Sequence, residues 1–193
     1  MDDQDCLFII NNRISQKMKD IMRIKCLLSE EVEALINQQI KKEAHSSSIY
    51  LSMASWCNRN GYDFSADYFF KQAEEERQHQ LKFFKYVLDM GGNAISPDVN
   101  NIKQEYNSFR EVFEEALDQE VSVTQSIKNI AARCHKEQDY VTLEFLNWFF
   151  REQREEEYKA RRALELFEVI GEEGTGRWQI DKHVGQISYD SEA

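Results

Sequence analysis

SEEVEALINQQIKKEAHSSSIYLSMASWCN, residues 29–58, runs for 30 positions without a glycine or proline. A strand of that length would be exceptional, whereas a helix of that length is about 45 Å long and spans a whole domain. Ser29 offers a side-chain oxygen to the first free N–H groups, and Glu30 and Glu31 place negative charge where the helix dipole favours it. The stretch predicts a helix, α1, from Ser29 to about Asn58. One residue in it disagrees with its neighbours. Positions seven apart nearly superimpose on a helix, and Glu43 falls between Ile36 and Tyr50, on the stripe that should face a core.

Outward from α1 the chain breakers are few, 7 glycines and 1 proline in 193 residues. After Gly61, α2 is predicted from about Asp63 to Met90, where Gly91 and Gly92 supply the left-handed stop that helices favour. The stretch GNAISPDVNNIKQEYNS, residues 92–108, reads as a long connection. Ser108 and Glu111 form a Ser-x-x-Glu capping box that opens α3, which continues to about Lys136. Asp139 then caps α4, which reaches Ile170 before Gly171, and a closing segment from about Arg177 to Ser188 has room for a short α5. Short α1–α2 and α3–α4 loops imply antiparallel hairpins, and the long connection can cross the full length of a bundle. The expected class is all-α: an antiparallel four-helix bundle with a long α2–α3 crossover and a short C-terminal fifth helix. It occupies residues 29–193 as one domain, and residues 1–28, of mixed charge with scattered apolar residues, read as a flexible N-terminal extension.

The anomaly of Glu43 recurs on every long helix. Glu76 lies between Phe69 and Phe83, Glu120 between Phe113 and Ile127, and Glu156 between Phe149 and Ala163, at the same spacing of seven. Burying a carboxylate in an apolar interior costs several kcal/mol unless it is protonated, paired or bound to a metal, and four together repel one another. Two residues at one level of an antiparallel hairpin average to the position of its turn. Glu43 and Glu76 average to 59.5 and Glu120 and Glu156 to 138, both within predicted turns, which places all four near mid-bundle. His79, three residues after Glu76, shares its face and adds an imidazole, while Gln153, three before Glu156, adds a neutral oxygen. Oxygen ligands with one nitrogen suit Fe(II) or Mn(II), and a shared glutamate permits a dinuclear site. The bland alternative is a polar core cluster neutralised by Arg or Lys.

With 24 Lys and Arg against 35 Asp and Glu, the net charge of −11 argues against nucleic-acid or anionic-membrane partners and favours cations. Cys6, Cys26, Cys57 and Cys134 lie far apart, without zinc or disulfide spacing. No apolar run is long enough to cross a bilayer, and MDDQDCLFII carries acids where a signal peptide needs basic charge, so the cytoplasm is the expected address. His45, His135 and His183 fall outside the constellation.

The segments NQQIKKEAHSSSIYLSMASWC (37–57), AEEERQHQ (73–80), DQEVSVTQ (118–125) and FLNWFFREQREEE (145–157), in this order, resemble the haem-free bacterial ferritins over residues 28 to about 188. The resemblance implies a ferritin-like bundle whose Glu43, Glu76 and His79 bind one iron and whose Glu76, Glu120 and Glu156 bind a second, with Gln153 beside them. It also implies a third iron position at Glu75, Glu152, Glu155 and Glu156, and it matches Tyr50 and Trp148 to aromatics near the family's site. The implied activity is ferroxidation, the conversion of Fe(II) to Fe(III) by O2 or peroxide, with storage of the product as a mineral inside a homo-oligomeric shell of 24 subunits. Two departures choose among relatives. Bacterioferritins and many di-iron enzymes carry a second Glu-x-x-His, but Glu156 is followed by Lys159; bacterioferritins bind haem through a methionine directly after the α2 glutamate, but here that residue is Arg77. No haem is expected. The rival reading is a discrete di-iron or di-manganese oxidoreductase that keeps its metals, and it normally carries a more symmetric ligand set.

Overall fold

The computed structural model describes residues 26–189. It contains α1 (Glu30–Arg59), α2 (Asp63–Asp89), α3 (Phe109–Glu137), α4 (Tyr140–Ile170) and α5 (Gly176–Val184), with no strand among the described residues. Three of the four long helices begin on the caps expected of them. Ser29 Oγ accepts from Val32 N, Ser108 Oγ from Glu111 N and Asp139 Oδ1 from Thr142 N. The hairpin turns contain the left-handed residues Gly61, at φ 80°, and Gln138, at φ 60°.

α2 begins differently. Tyr62 gives it no side-chain cap, and the acceptor comes from α5 instead: the buried Asp181 accepts from Ser65 N at 2.8 Å and from Phe64 N at 3.4 Å. With Ile180 and Val184 fully buried, this bond docks α5 against the start of α2. The crossover from Gly91 to Ser108 is irregular, yet it is held along its length by side chains of α1. Asn37 bonds Asn93 O and Ile95 N, Lys41 pairs with Asp98 at 2.7 Å, Ser52 donates to Lys103 O, and Arg59 pairs with Glu105 at 2.9 Å. From 37 to 59 these anchors cover most of α1, so the crossover does run the length of the bundle.

The apolar core comes in two blocks. One gathers Tyr50, Phe69, Phe113 and Phe167 with Ile180 of α5; the other gathers Ile36, Ile40, Phe83, Ile127 and Phe149. Residues 1–25, most of the segment read as an extension, lie outside the described residues. Its last three residues rest on the bundle: Leu28 is buried and Leu27 N donates to Met90 O at 3.0 Å. Among the described residues, Cys26, Cys57 and Cys134 are free thiols and no helix is long and apolar enough to cross a membrane.

Candidate metal centre

Between the two apolar blocks lies a polar layer contributed by all four long helices. The flanking residues that marked the stripe, Ile36, Tyr50, Phe69, Phe83, Phe113, Ile127, Phe149 and Ala163, are all buried, and so are the four glutamates between them, none more than 2% exposed. The layer is what sequence spacing demanded: an acid on each core-facing stripe, at matched height.

Glu43, Glu76 and His79 come together most closely. Each offers a ligand atom, and these atoms lie within 4.8 Å of one another. Gln39 Nε2 donates to Glu43 Oε1 at 2.8 Å, while Glu43 Oε2 is buried without a hydrogen-bond partner. A buried carboxylate oxygen without a partner is an acceptor that a proton or a cation can satisfy. His79 presents Nδ1 to Glu76 at 3.4 Å, and its other ring nitrogen, Nε2, lies 3.8 Å from Glu152. Trp148 meets the same ring edge-on, with centroids 5.5 Å apart.

Glu120 and Glu156 line the same layer with their oxygens engaged by protein groups. Tyr50 donates its hydroxyl to Glu120 Oε1, and Gln153 Nε2 donates to Glu120 Oε2 at 3.0 Å. Gln72 Nε2 donates to Glu156 Oε2 at 2.6 Å, and Lys159 Nζ approaches Glu156 Oε1 at 3.1 Å. Of the acids matched to a third iron position, Glu75 and Glu155 lie around Lys159, at 3.9 and 2.8 Å, and Glu152 lies beside His79.

Burial dominates the electrostatics. It pushes the carboxyls of Glu43, Glu76 and Glu120 above the usual range, and the charges of Glu76 on Glu43 and of Glu120 on Glu76 push the same way. Burial lifts Glu156 to about 7 against the opposing pull of Lys159. For His79 burial works downward, but the carboxylates of Glu152 and Glu43 outweigh it and the imidazole is raised. Burial therefore favours the protonated, neutral form of these carboxyls.

Gln39 and Gln72 were not singled out in the sequence. Each stands four residues before a site glutamate, and the Gln-x-x-x-Glu spacing would have flagged Gln39, which bonds Glu43 on its own helix. No such rule would have found the bond from Gln72, which crosses to Glu156 on α4.

A family model described as a ferritin-like domain matches residues 33–170. The chain is 35% identical over 162 residues to a probable bacterial non-heme ferritin-like protein of Haemophilus influenzae, covering 84% of this chain and 98% of the relative. It is 34% identical to the bacterial non-heme ferritin of Campylobacter jejuni, covering 84% and 97%. Among solved structures, the open pore ferritin of the archaeon Archaeoglobus fulgidus superimposes with a TM-score of 0.80 at 32% identity, covering 83% of this chain and 98% of that one.

Proposed function

The chain belongs to the ferritin family, and from that premise we infer the work of each side chain in its buried layer. The protein is a ferroxidase and an iron-storage protein, and Fe(II) is its substrate. Glu43, Glu76 and His79 receive one Fe(II); Glu76, Glu120 and Glu156 receive the second, with Glu76 as the bridge and Gln153 beside Glu120. The observation that carries this reading is the orphaned Glu43 oxygen within a layer of four buried acids and one imidazole.

Binding the two ions removes the protons that burial keeps on the carboxyls. Two Fe(II) held side by side give one electron each to O2, which takes up two protons and leaves as H2O2. With H2O2 as oxidant, the same two electrons and two protons yield two waters. Carboxylate oxygens favour the harder Fe(III) product, so oxidation is downhill at this site. Fe(III) then passes to a mineral inside a closed shell of 24 copies, in the cytoplasm. The asymmetric ligand set and Arg77, beside Glu76, suit a haem-free centre of two irons per chain. Residues 1–28 precede the first ligand helix, and their deletion should leave the rate of iron oxidation largely unchanged.

Aerobic addition of Fe(II) to the assembled protein, followed by iron analysis and electron microscopy, tests the reading. Storage predicts many iron atoms per chain in electron-dense cores inside hollow particles. A plateau at about two per chain with no core would mark a discrete metal-retaining enzyme and overturn it.

A further inference from the structure

Lys159 stands where a symmetric di-iron bundle would place its second histidine, and its side chain turns into the site. Nζ lies 2.8 Å from Glu155, 3.1 Å from Glu156 and 3.9 Å from Glu75, and the side chain is only 12% exposed. Three carboxylates from two helices thus converge on one positive charge. The Glu75 side chain is 42% exposed, but its Oε2 is buried without a hydrogen-bond partner, 3.9 Å from the ammonium. A 230 Å³ cleft lined by Tyr68, Gln72, Glu75 and Lys159 opens beside the cluster.

We propose that the Lys159 ammonium is a built-in cation that fills the pocket of Glu75, Glu155 and Glu156, excludes a further metal ion from it, and so confines each chain to its two-metal centre. A divalent ion shared by these oxygens would need them at about 2.0–2.2 Å, and it would have to occupy the space the ammonium holds. The ammonium is tethered on the same helix as Glu155 and Glu156, so it competes without the translational loss a free ion suffers. Glu152, the other acid on this face, lies 3.8 Å from His79 Nε2. Removing the lysine charge leaves three acids without a cation, a set of hard oxygens suited to a divalent ion. Lys159 is thus a specificity-determining residue: it sets how many ions bind. This inference rests on the dinuclear reading given above.

Anaerobic titration of metal-free, assembled protein with Co(II), followed by calorimetry and by the visible absorption of bound Co(II), counts tight sites without turnover. The parent should bind two ions per chain, Lys159→Leu three, and Lys159→Arg two again. Adding Glu155→Gln to Lys159→Leu should abolish the third. Lys159→Gln repeats the test should the leucine variant fail to assemble. Three ions in the parent, two in both neutral variants, or a third that survives Glu155→Gln would overturn the proposal. Fewer than two in the parent would instead bring down the dinuclear reading on which it rests.

Discussion

Glu156 is 2% exposed, and burial holds its carboxyl near 7 although Lys159 pulls the other way. Its proton is part of the stability of the metal-free bundle. A carboxyl raised on folding binds more protons in the native than in the unfolded chain between the two pKa values, so stability is full below the unfolded value and is lost as pH rises through the folded one. Glu43, Glu76 and Glu120 shift in the same direction, and the raised imidazole of His79 has the same sign. The surface acids Glu111, Glu137 and Asp98 are lowered by their partners and lose stability only as pH falls below the usual carboxylate range. The metal-free protein should therefore melt at progressively lower temperature from about pH 5 to about pH 8, and Glu156→Gln should flatten part of that decline. Thermal melts across this range check it; a parent that grows more stable toward pH 8 would show that the layer is not holding protons.

At the scale of elements, α2 depends on a residue more than a hundred positions away. Asp181 supplies the acceptor that Tyr62 does not, so Asp181→Ala should lower the thermal midpoint by an amount equivalent to about 1 kcal/mol, while Asp181→Asn, which keeps one acceptor oxygen, should lose less. The initial rate of iron oxidation should not change in either, because Asp181 touches no site residue. Equal loss in both variants would assign the effect to charge rather than to capping. The four long helices were legible because their signals are local: Ser29, Ser108 and Asp139 cap where their sequence positions say they do. The acids were legible because a period of seven exposes any residue that breaks an apolar stripe. What escaped is non-local. Asp181 and Gln72 act across 116 and 84 positions, and the course of residues 91–108 is set by Asn37, Lys41, Ser52 and Arg59 rather than by any periodicity of its own.

As a whole molecule, the bundle leaves an apolar stripe on the outside of α2. Phe70, Leu81 and Leu88 are 50%, 38% and 52% exposed, and at 100° per residue they fall within about 20° of one another around the helix. We propose that a second copy covers this stripe. Leu81→Arg combined with Leu88→Arg should shift the protein from a particle of several hundred kilodaltons toward small oligomers in analytical ultracentrifugation, with helicity retained; an unchanged particle would place the contacts elsewhere. Inside each copy, we propose, four buried glutamates and His79 form a dinuclear iron-oxidising centre bridged by Glu76. Stopped-flow mixing of aerobic buffer with protein carrying two Fe(II) per chain tests it most directly, comparing the parent with Glu76→Ala. The variant should lose the fast oxidation phase by at least about tenfold, yet its metal-free form should melt no lower than the parent, because removing one acid relieves repulsion in the layer. Oxidation at the parental rate in Glu76→Ala would contradict the assigned centre, and unfolding of the metal-free variant would show that the glutamate supports the fold rather than the iron.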